Sequence, residues 1–340
     1  MLSFSDIVVL SRSVLNVKFL KNNYPIGVRW NITEQCYRKC LYCEVKNYQI
    51  NEELSTGEVK AIVDQISKRA VCLIFSGGEP LARNDMGEVI AYCKKKGIKR
   101  IELNSSGYGV KEKIKELLPL TKLKLSIDGP ESIHDKMRGD GSFNIVKEAS
   151  YAAKNSGIKV VFNSMLTNQN LNQLDFLVKF ASELHSQITF EPLRNLSLRK
   201  DVYELRPTRE KFVEAVDKLI VLKGRNSSFI QNSVKELEFI RDWPHGKQFS
   251  CAAGKLFCVI RPNGILESCD HIIPLSNSFA SEKQELNILK LGFNKAVSML
   301  GRPFCKGCGC EGAIKLSRMM NSPFSSISDI WQEFYILTKS

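Results

Sequence analysis

At 340 residues, 43% of them hydrophobic, the chain is long enough for one large domain with its own core and a smaller companion. The formal net charge of +13 would suit an anionic partner, but the lysines are spread along amphipathic stretches such as 94–100 and 111–118, and no nucleic-acid-binding motif accompanies them. No run approaches about 20 apolar residues, so no membrane-spanning helix is expected. Of the eleven cysteines, six fall in two close triplets, which reads as metal ligation in a reducing cytoplasm rather than a disulfide scaffold.

Residues 1–24 place Phe4, Ile7, Leu10, Val14 and Val17 at helical spacing among Ser, Arg and Lys, the pattern of an amphipathic helix. Asp6 and Arg12 interrupt its apolar character and no small-residue cleavage site follows, which argues against a signal peptide. The expectation is a helix packed on the next domain of a cytoplasmic protein; the alternative is a peripheral contact with a membrane surface. From 25 to 194 a strand-then-helix beat repeats. Strand-like runs stand at 26–32, 71–76, 99–103, 123–127, 159–165 and 188–192, with helical runs at 56–68, 85–96, 110–117, 142–155 and 171–184. This alternation predicts an α/β fold with a parallel sheet covered by helices. Periodicity alone fits a barrel and a doubly wound sheet equally.

The first strand runs into TEQCYRKCLYC (33–43), a C-x3-C-x2-C array of Cys36, Cys40 and Cys43. Three thiolates this close can hold three irons of a cubane whose usual complement is four, leaving one iron for an outside ligand. A zinc knuckle is the bland alternative. The second strand ends in Ser76-Gly77-Gly78-Glu79-Pro80, where glycines permit close backbone approach to a ligand and the carboxylate can accept from an ammonium group. The third ends in Asn104-Ser105-Ser106-Gly107 and the fourth in Ser126-Ile127-Asp128-Gly129. Such polar strand ends either meet a ligand or cap the next helix. Arg138, in HDKMRGDGSF (134–143), is a candidate carboxylate partner; the bland alternative for the segment is a surface turn that caps the helix from Ser142. Asn163 lies on the fifth strand, its facing undetermined.

Past Pro192 the beat stops. Residues 195–250 read as a connector with helices at 208–223 and 233–242. In 251–340, Cys251, Gly264 and Cys269 form C-x12-G-x4-C around a hairpin turned by Arg261-Pro262-Asn263-Gly264. A helix-like interval at 286–300 leads to Cys305, Cys308 and Cys310. Cys72 and Cys93 read as small core residues. His134, His185, His245 and His271 read as structural.

The triplet with an aromatic, Tyr42, before its third Cys, followed by Gly-Gly-Glu-Pro, resembles the radical S-adenosylmethionine superfamily. Tyr37 departs from the Asn common after the first Cys. The resemblance implies a partial (β/α)6 TIM-like barrel and a [4Fe–4S] cluster on Cys36, Cys40 and Cys43. S-adenosyl-L-methionine would chelate the open iron, with Gly77, Gly78 and Glu79 at its amino group and Tyr42, Asn104, Ser126, Asp128, Arg138 and Asn163 in the cofactor pocket. Reductive cleavage of the sulfonium would yield a 5′-deoxyadenosyl radical that takes hydrogen from a substrate.

The C-terminal part resembles the Cys-rich SPASM and shorter twitch extensions, which implies one auxiliary [4Fe–4S] cluster on Cys251, Cys269, Cys305 and Cys308, chiefly for electron transfer. Structural zinc on the same thiolates is the alternative. Cys258 and Cys310 remain as alternative ligands or hydrogen donors for an epimerisation. The implied partners are an external electron donor such as flavodoxin or ferredoxin and a substrate, peptide, sugar-like or lipid, that these residues do not specify. The rival reading is an iron–sulfur electron carrier or a zinc-organised interaction protein, which needs neither an open iron nor an amino-acid pocket.

Overall fold

A computed structural model of the chain describes residues 13, 16–17, 21–43, 52–193, 200–225, 228–242, 251–269, 286–301 and 310–321. Strands β1 (Gly27–Thr33), β2 (Cys72–Gly77), β3 (Arg100–Ser105), β4 (Lys122–Ser126), β5 (Val160–Leu166) and β6 (Gln187–Pro192) lie side by side in chain order, all parallel. Each falls within two residues of the run expected from the sequence. Helices α1 (Thr56–Ile66), α2 (Met86–Lys95), α3 (Glu131–Arg138), α4 (Ser142–Asn155) and α5 (Leu174–Glu183) occupy the crossovers.

Successive strand residues point to opposite faces. Val28, Trp30, Ile32, Leu73, Phe75, Leu103, Leu125, Phe162 and Phe190 are buried in one apolar core together with Val59, Ile62 and Ile66 of α1. That helix starts with a capping box: Ser55 Oγ accepts from the Glu58 amide while Glu58 accepts from the Ser55 amide. The other sheet face is polar, and the strand register keeps it continuous. Arg29, Ile74, Glu102 and Lys122 stand in one row, and beyond it Asn31 pairs with Ser76 and Asn104 with Lys124.

Two local expectations change. The helix expected at 110–117 reduces to turns and a short 3-10 segment, Ile114–Leu117. Gly109, at φ +75°, and Pro119 bound it too closely for a regular helix, and Lys113 Nζ instead donates to Leu81 O and Arg83 O, both at 3.1 Å. Conversely, residues 134–138 form the C-terminal part of α3, with His134, Met137 and Arg138 buried, so the bland alternative of a surface turn does not hold there. Gly139 and Gly141, both at positive φ, break the chain between α3 and α4.

The connector, with α6 (Lys200–Glu204), α7 (Arg209–Arg225) and α8 (Val234–Arg241), also closes the β6 edge. Ile188 N–H donates to Phe229 O and Gln231 N–H to Ile188 O, each at 2.8 Å, and the Asn232 side-chain amide pairs with both backbone groups of Phe190. At the opposite edge the hairpin β7 (Phe257–Ile260) and β8 (Leu266–Glu267) joins the sheet, β7 running parallel to β1. The order is β6-β5-β4-β3-β2-β1-β7-β8. The segment from 251 thus begins as a continuation of the sheet. Beyond it lie α9 (Ile288–Leu291), α10 (Phe293–Ser298) and α11 (Glu311–Asn321). A Cβ on Gly27 would meet Leu316 of α11 and Phe257 of β7 at 3.6 Å, which places α11 against that end of the sheet. Val17 of the leading segment packs with Tyr24, Ile26, Ala252, Leu256 and Met320; its other apolar positions lie outside the described residues. No helix among the described residues is long and apolar enough to cross a membrane.

Candidate functional site

A cavity of about 290 Å³ opens where the strands run into their following loops, the end at which parallel α/β sheets place their ligands. Cys36, Cys40, Cys43, Tyr42, Gly77, Gly78, Glu79, Asn104, Ser126, Arg138 and Asn163 all line it. Eleven residues chosen from sequence, spread over 128 positions, therefore share one chamber.

The Cys loop is held from three sides. Gly78 N–H donates to Thr33 O (2.8 Å) and Glu79 N–H to Gln35 O (2.7 Å). A Cβ on Gly77 would lie 2.3 Å from Thr33 O, and one on Gly78 2.2 Å from Gln35 O. The paired glycines, expected to make room for a ligand, make room first for the backbone of the Cys loop itself. On the far side Leu41 N–H donates to Met137 O at 2.9 Å. The third tether is ionic. Tyr42 OH donates to Asp128 Oδ2 (2.8 Å), Arg138 Nε donates to the same oxygen (2.6 Å), and Arg138 Nη2 donates to the Tyr42 oxygen.

Asp128 departs from its expected place. It is fully buried beneath the cavity and not among its lining residues, so it positions Tyr42 and Arg138 rather than meeting a ligand. Its own amide donates to His134 Nδ1 at 3.1 Å. Burial, helped by the Arg138 charge, pushes that imidazole down to about 4. Burial also raises the Cys40 thiol, with Arg138 pulling it back.

Glu79 is 1% exposed. Ser105 Oγ donates to its Oε1 (2.8 Å), and the amide and hydroxyl of Ser106 donate to its Oε2 (2.8 and 2.6 Å). Desolvation raises its carboxyl above the usual range, and the serine hydrogen bonds oppose that rise. Ser105 and Ser106, noted only as part of a polar strand end, thus hold the carboxylate, while Arg29, Asn31, Arg38, Lys124, Met165, Glu191 and Arg261 of the lining were not anticipated. Arg38 lies between two of the cysteines, and its Nε and Nη2 are buried without a hydrogen-bond partner among the described residues. The missed strand residues had a legible signal in their alternation: Arg29-x-Asn31-x-Thr33 and Lys124-x-Ser126 are polar at every second position. The same parity resolves Asn163, which faces inward beside Ser126 and accepts from Thr189 Oγ1 at 2.7 Å.

The remaining cysteines divide. Cys258 pairs with Val28 and is buried in the apolar core on the helix-covered face, so it cannot serve as a hydrogen donor in the chamber. Cys310, at the start of α11, accepts from Arg29 Nη2 at 3.8 Å, one side chain from the lining. Cys251 and Cys269 pack in one small cluster with Ala253, Phe257 and Val259. Cys305, Cys308, His245 and His271 lie outside the described residues. No trio of Cys, His, Asp or Glu among the described residues converges on a single ion position.

Residues 30–181 match the family model described as the Radical SAM superfamily. Fe-coproporphyrin III synthase of Methanosarcina barkeri is 31% identical over 173 residues, covering 49% of this chain and 43% of that protein. Mycofactocin maturase MftC of Mycobacterium tuberculosis is 27% identical over 265 residues, covering 73% of this chain and 65% of its own length. The chain therefore spans less than two thirds of either relative. Among solved structures, Streptococcus suis SuiB bound to S-adenosylmethionine superposes with a TM-score of 0.68 at 15% identity, over 87% of this chain and 71% of that one. anSMEcpe with bound AdoMet gives 0.62 at 18% identity over 80% of each. These structures share the fold.

Proposed function

With a radical SAM superfamily domain at residues 30–181 as premise, we propose that the chain is a radical S-adenosylmethionine enzyme acting on a substrate bound in the same chamber. The observation that carries this reading is the meeting of three thiols and a buried, hydroxyl-held carboxylate in one cavity. The donor set suits a cubane, which asks for one thiolate per iron rather than three on one ion. Cys36, Cys40 and Cys43 would hold it. When bound, the cluster and S-adenosylmethionine supply reductive cleavage of the sulfonium and hence a carbon radical that abstracts hydrogen.

The protein's own part is placement. Glu79 accepts from an ammonium group, and the hydroxyls of Ser105 and Ser106 hold its oxygens in position for that contact. The Tyr42–Asp128–Arg138 triad fixes the far end of the Cys loop, so the three thiols keep a common orientation. Asn104 and Ser126 add polar contacts along the strand ends. The parallel strands, read as a partial (β/α)6 barrel, keep water from the reacting atoms once substrate fills the open side. Cys251 and Cys269, with Cys305 and Cys308, are the proposed ligands of one auxiliary [4Fe–4S] cluster in a SPASM- or twitch-like region, serving electron transfer. Flavodoxin or ferredoxin is the proposed reductant.

The test is anaerobic reconstitution with iron and sulfide, then incubation with S-adenosylmethionine and a reductant. 5′-Deoxyadenosine is the expected product. Its absence from protein shown spectroscopically to carry intact cluster would return the chain to the electron-carrier reading.

A further inference from the structure

The Cys loop has two faces. Cys36, Arg38, Cys40 and Tyr42 line the chamber, whereas the alternate residues Tyr37, Lys39 and Leu41 do not line it and are exposed. Tyr37 is 57% exposed and Leu41 40%, although the loop itself is tied to Thr33, Gln35 and Met137 by backbone hydrogen bonds. Tyr108, also 40% exposed and also outside the chamber lining, comes from the loop after β3. It meets Tyr37 with ring centroids 4.3 Å apart and planes inclined by 35°.

Such an aromatic contact is worth about 0.5–1.5 kcal/mol and helps to join the two loops. Burying the rings would serve that end better, yet both are left largely in water. Grouped exposed aromatics with an aliphatic neighbour have the composition of an interface centre. The charge beside them has one sign: residues 35–43 carry Arg38 and Lys39 and no acid, and Lys39, on the outer face, has no ion-pair partner among the described residues. The chain as a whole carries +13. A partner for this face is therefore acidic.

We propose that the outer face of the Cys loop, Tyr37, Lys39 and Leu41 with Tyr108, is the docking surface for a small acidic electron-carrier protein. The inference rests on the radical reading, in which each cleavage of the sulfonium consumes one electron. Cofactor and substrate then occupy the chamber side of the loop, and a donor approaches from the other side, where Tyr37 adjoins Cys36 and both Lys39 and Leu41 adjoin Cys40. In the transfer the carrier is oxidised by one electron and the cluster is reduced by that electron; no bond is made or broken. A patch of three apolar side chains belongs to the small, short-lived class of electron-transfer encounters, which suits a carrier that leaves after each delivery. Lys39 steers the encounter, and the aromatic pair gives it a place to rest.

The full-length, anaerobically reconstituted protein is reduced in a stopped-flow instrument by flavodoxin hydroquinone and, separately, by dithionite, and its affinity for oxidised flavodoxin is measured calorimetrically. The double change Tyr37→Ser with Tyr108→Ser, and Lys39→Glu alone, should each slow reduction by flavodoxin and weaken its binding about tenfold. The Lys39→Glu loss should shrink at high salt. Dithionite should reduce the tyrosine double variant at the wild-type rate, and Tyr151→Ser, at an exposed position on α4, should change neither reaction. Lys39→Glu breaks no side-chain contact among the described residues, so it carries the test if the double variant fails to fold. The proposal is overturned if flavodoxin does not reduce wild type, if folded Lys39→Glu is reduced and bound as wild type is, or if dithionite slows equally in the double variant. A wild-type dimer that the tyrosine changes dissociate also overturns it, by giving the face to a second copy. 5′-Deoxyadenosine is scored separately with dithionite: wild type that takes electrons from flavodoxin through this face but never cleaves S-adenosylmethionine sinks the radical reading and leaves the docking surface standing.

Discussion

The two ends of the polar sheet face each bury a carboxylate, and they treat it in opposite ways. At the mouth, Glu79 is surrounded by hydroxyl and amide dipoles, and desolvation raises its carboxyl. On the floor, Glu102 lies between Arg100 and Lys122, and although desolvation opposes them, these charges hold it at about 2. Burial alone therefore does not decide a charge; the neighbours do. A carboxylate held by neutral dipoles still has a use for an incoming cation, whereas one clamped by two cations is already satisfied. The mouth is arranged for a ligand, and the floor is arranged to hold strands β3 and β4 together.

That contrast can be broken most decisively at the mouth. Cys40→Ala should lower 5′-deoxyadenosine formation by about a thousandfold or more, because an iron loses its thiolate, while urea unfolding of the metal-free protein moves little. On the floor the effects reverse. Glu102→Ala leaves the half-buried Arg100 and Lys122 without this anion and should cost about 2–3 kcal/mol in urea unfolding, less than a fully buried pair would. Because the folded Glu102 titrates near 2, below the ordinary 4.5, its stabilisation is present above 4.5 and disappears as pH falls through 2. A smaller effect sharpens the comparison beneath the Cys loop. His134 folds neutral, near 4 against an ordinary 6.5, so it contributes nothing above 6.5. As pH falls below 6.5 the unfolded chain takes the proton first, and by pH 5 stability should drop by about 2 kcal/mol. His134→Gln should flatten the urea midpoint between pH 6.5 and 5; an unchanged slope would assign the acid sensitivity to other groups. Smallest is Glu79→Gln, which keeps an acceptor for Ser105 and loses the charge. It should weaken S-adenosylmethionine binding by about tenfold in equilibrium dialysis, as expected for losing a charged hydrogen bond, with little change in unfolding. Unaltered affinity would make Glu79 a loop cap and nothing more.

The six strands and the Cys loop were legible because both are local: apolar runs bounded by turns, and thiols a few residues apart. Ser142–Asn155 was readable to its ends for the same reason. What escaped depends on pairing across the chain. Asn163 faces inward only because β5 registers with β4, and Cys258 faces the wrong way only because Val28 is its partner. Asp128 looked like a pocket residue by position, yet α3 brings Arg138 onto it and draws it under the wall. The α3 helix itself was hidden by polar composition, its buried face consisting of His134, Met137 and Arg138 instead of aliphatic residues. The inner-face cations were masked by reading each strand as one apolar run when alternate positions were charged.

The pairing of β7 with β1 has a consequence for how the chain is made. Arg29 and Trp30 leave the ribosome more than two hundred residues before Val259 and Ile260, their hydrogen-bonded neighbours. Until then the strand that leads into the thiol loop has a bare flank, the kind of edge that recruits other chains. A shortened product ending after residue 181 should therefore clump during expression, and iron delivered at that stage would meet a loop whose supporting strand is still waiting for its last neighbour.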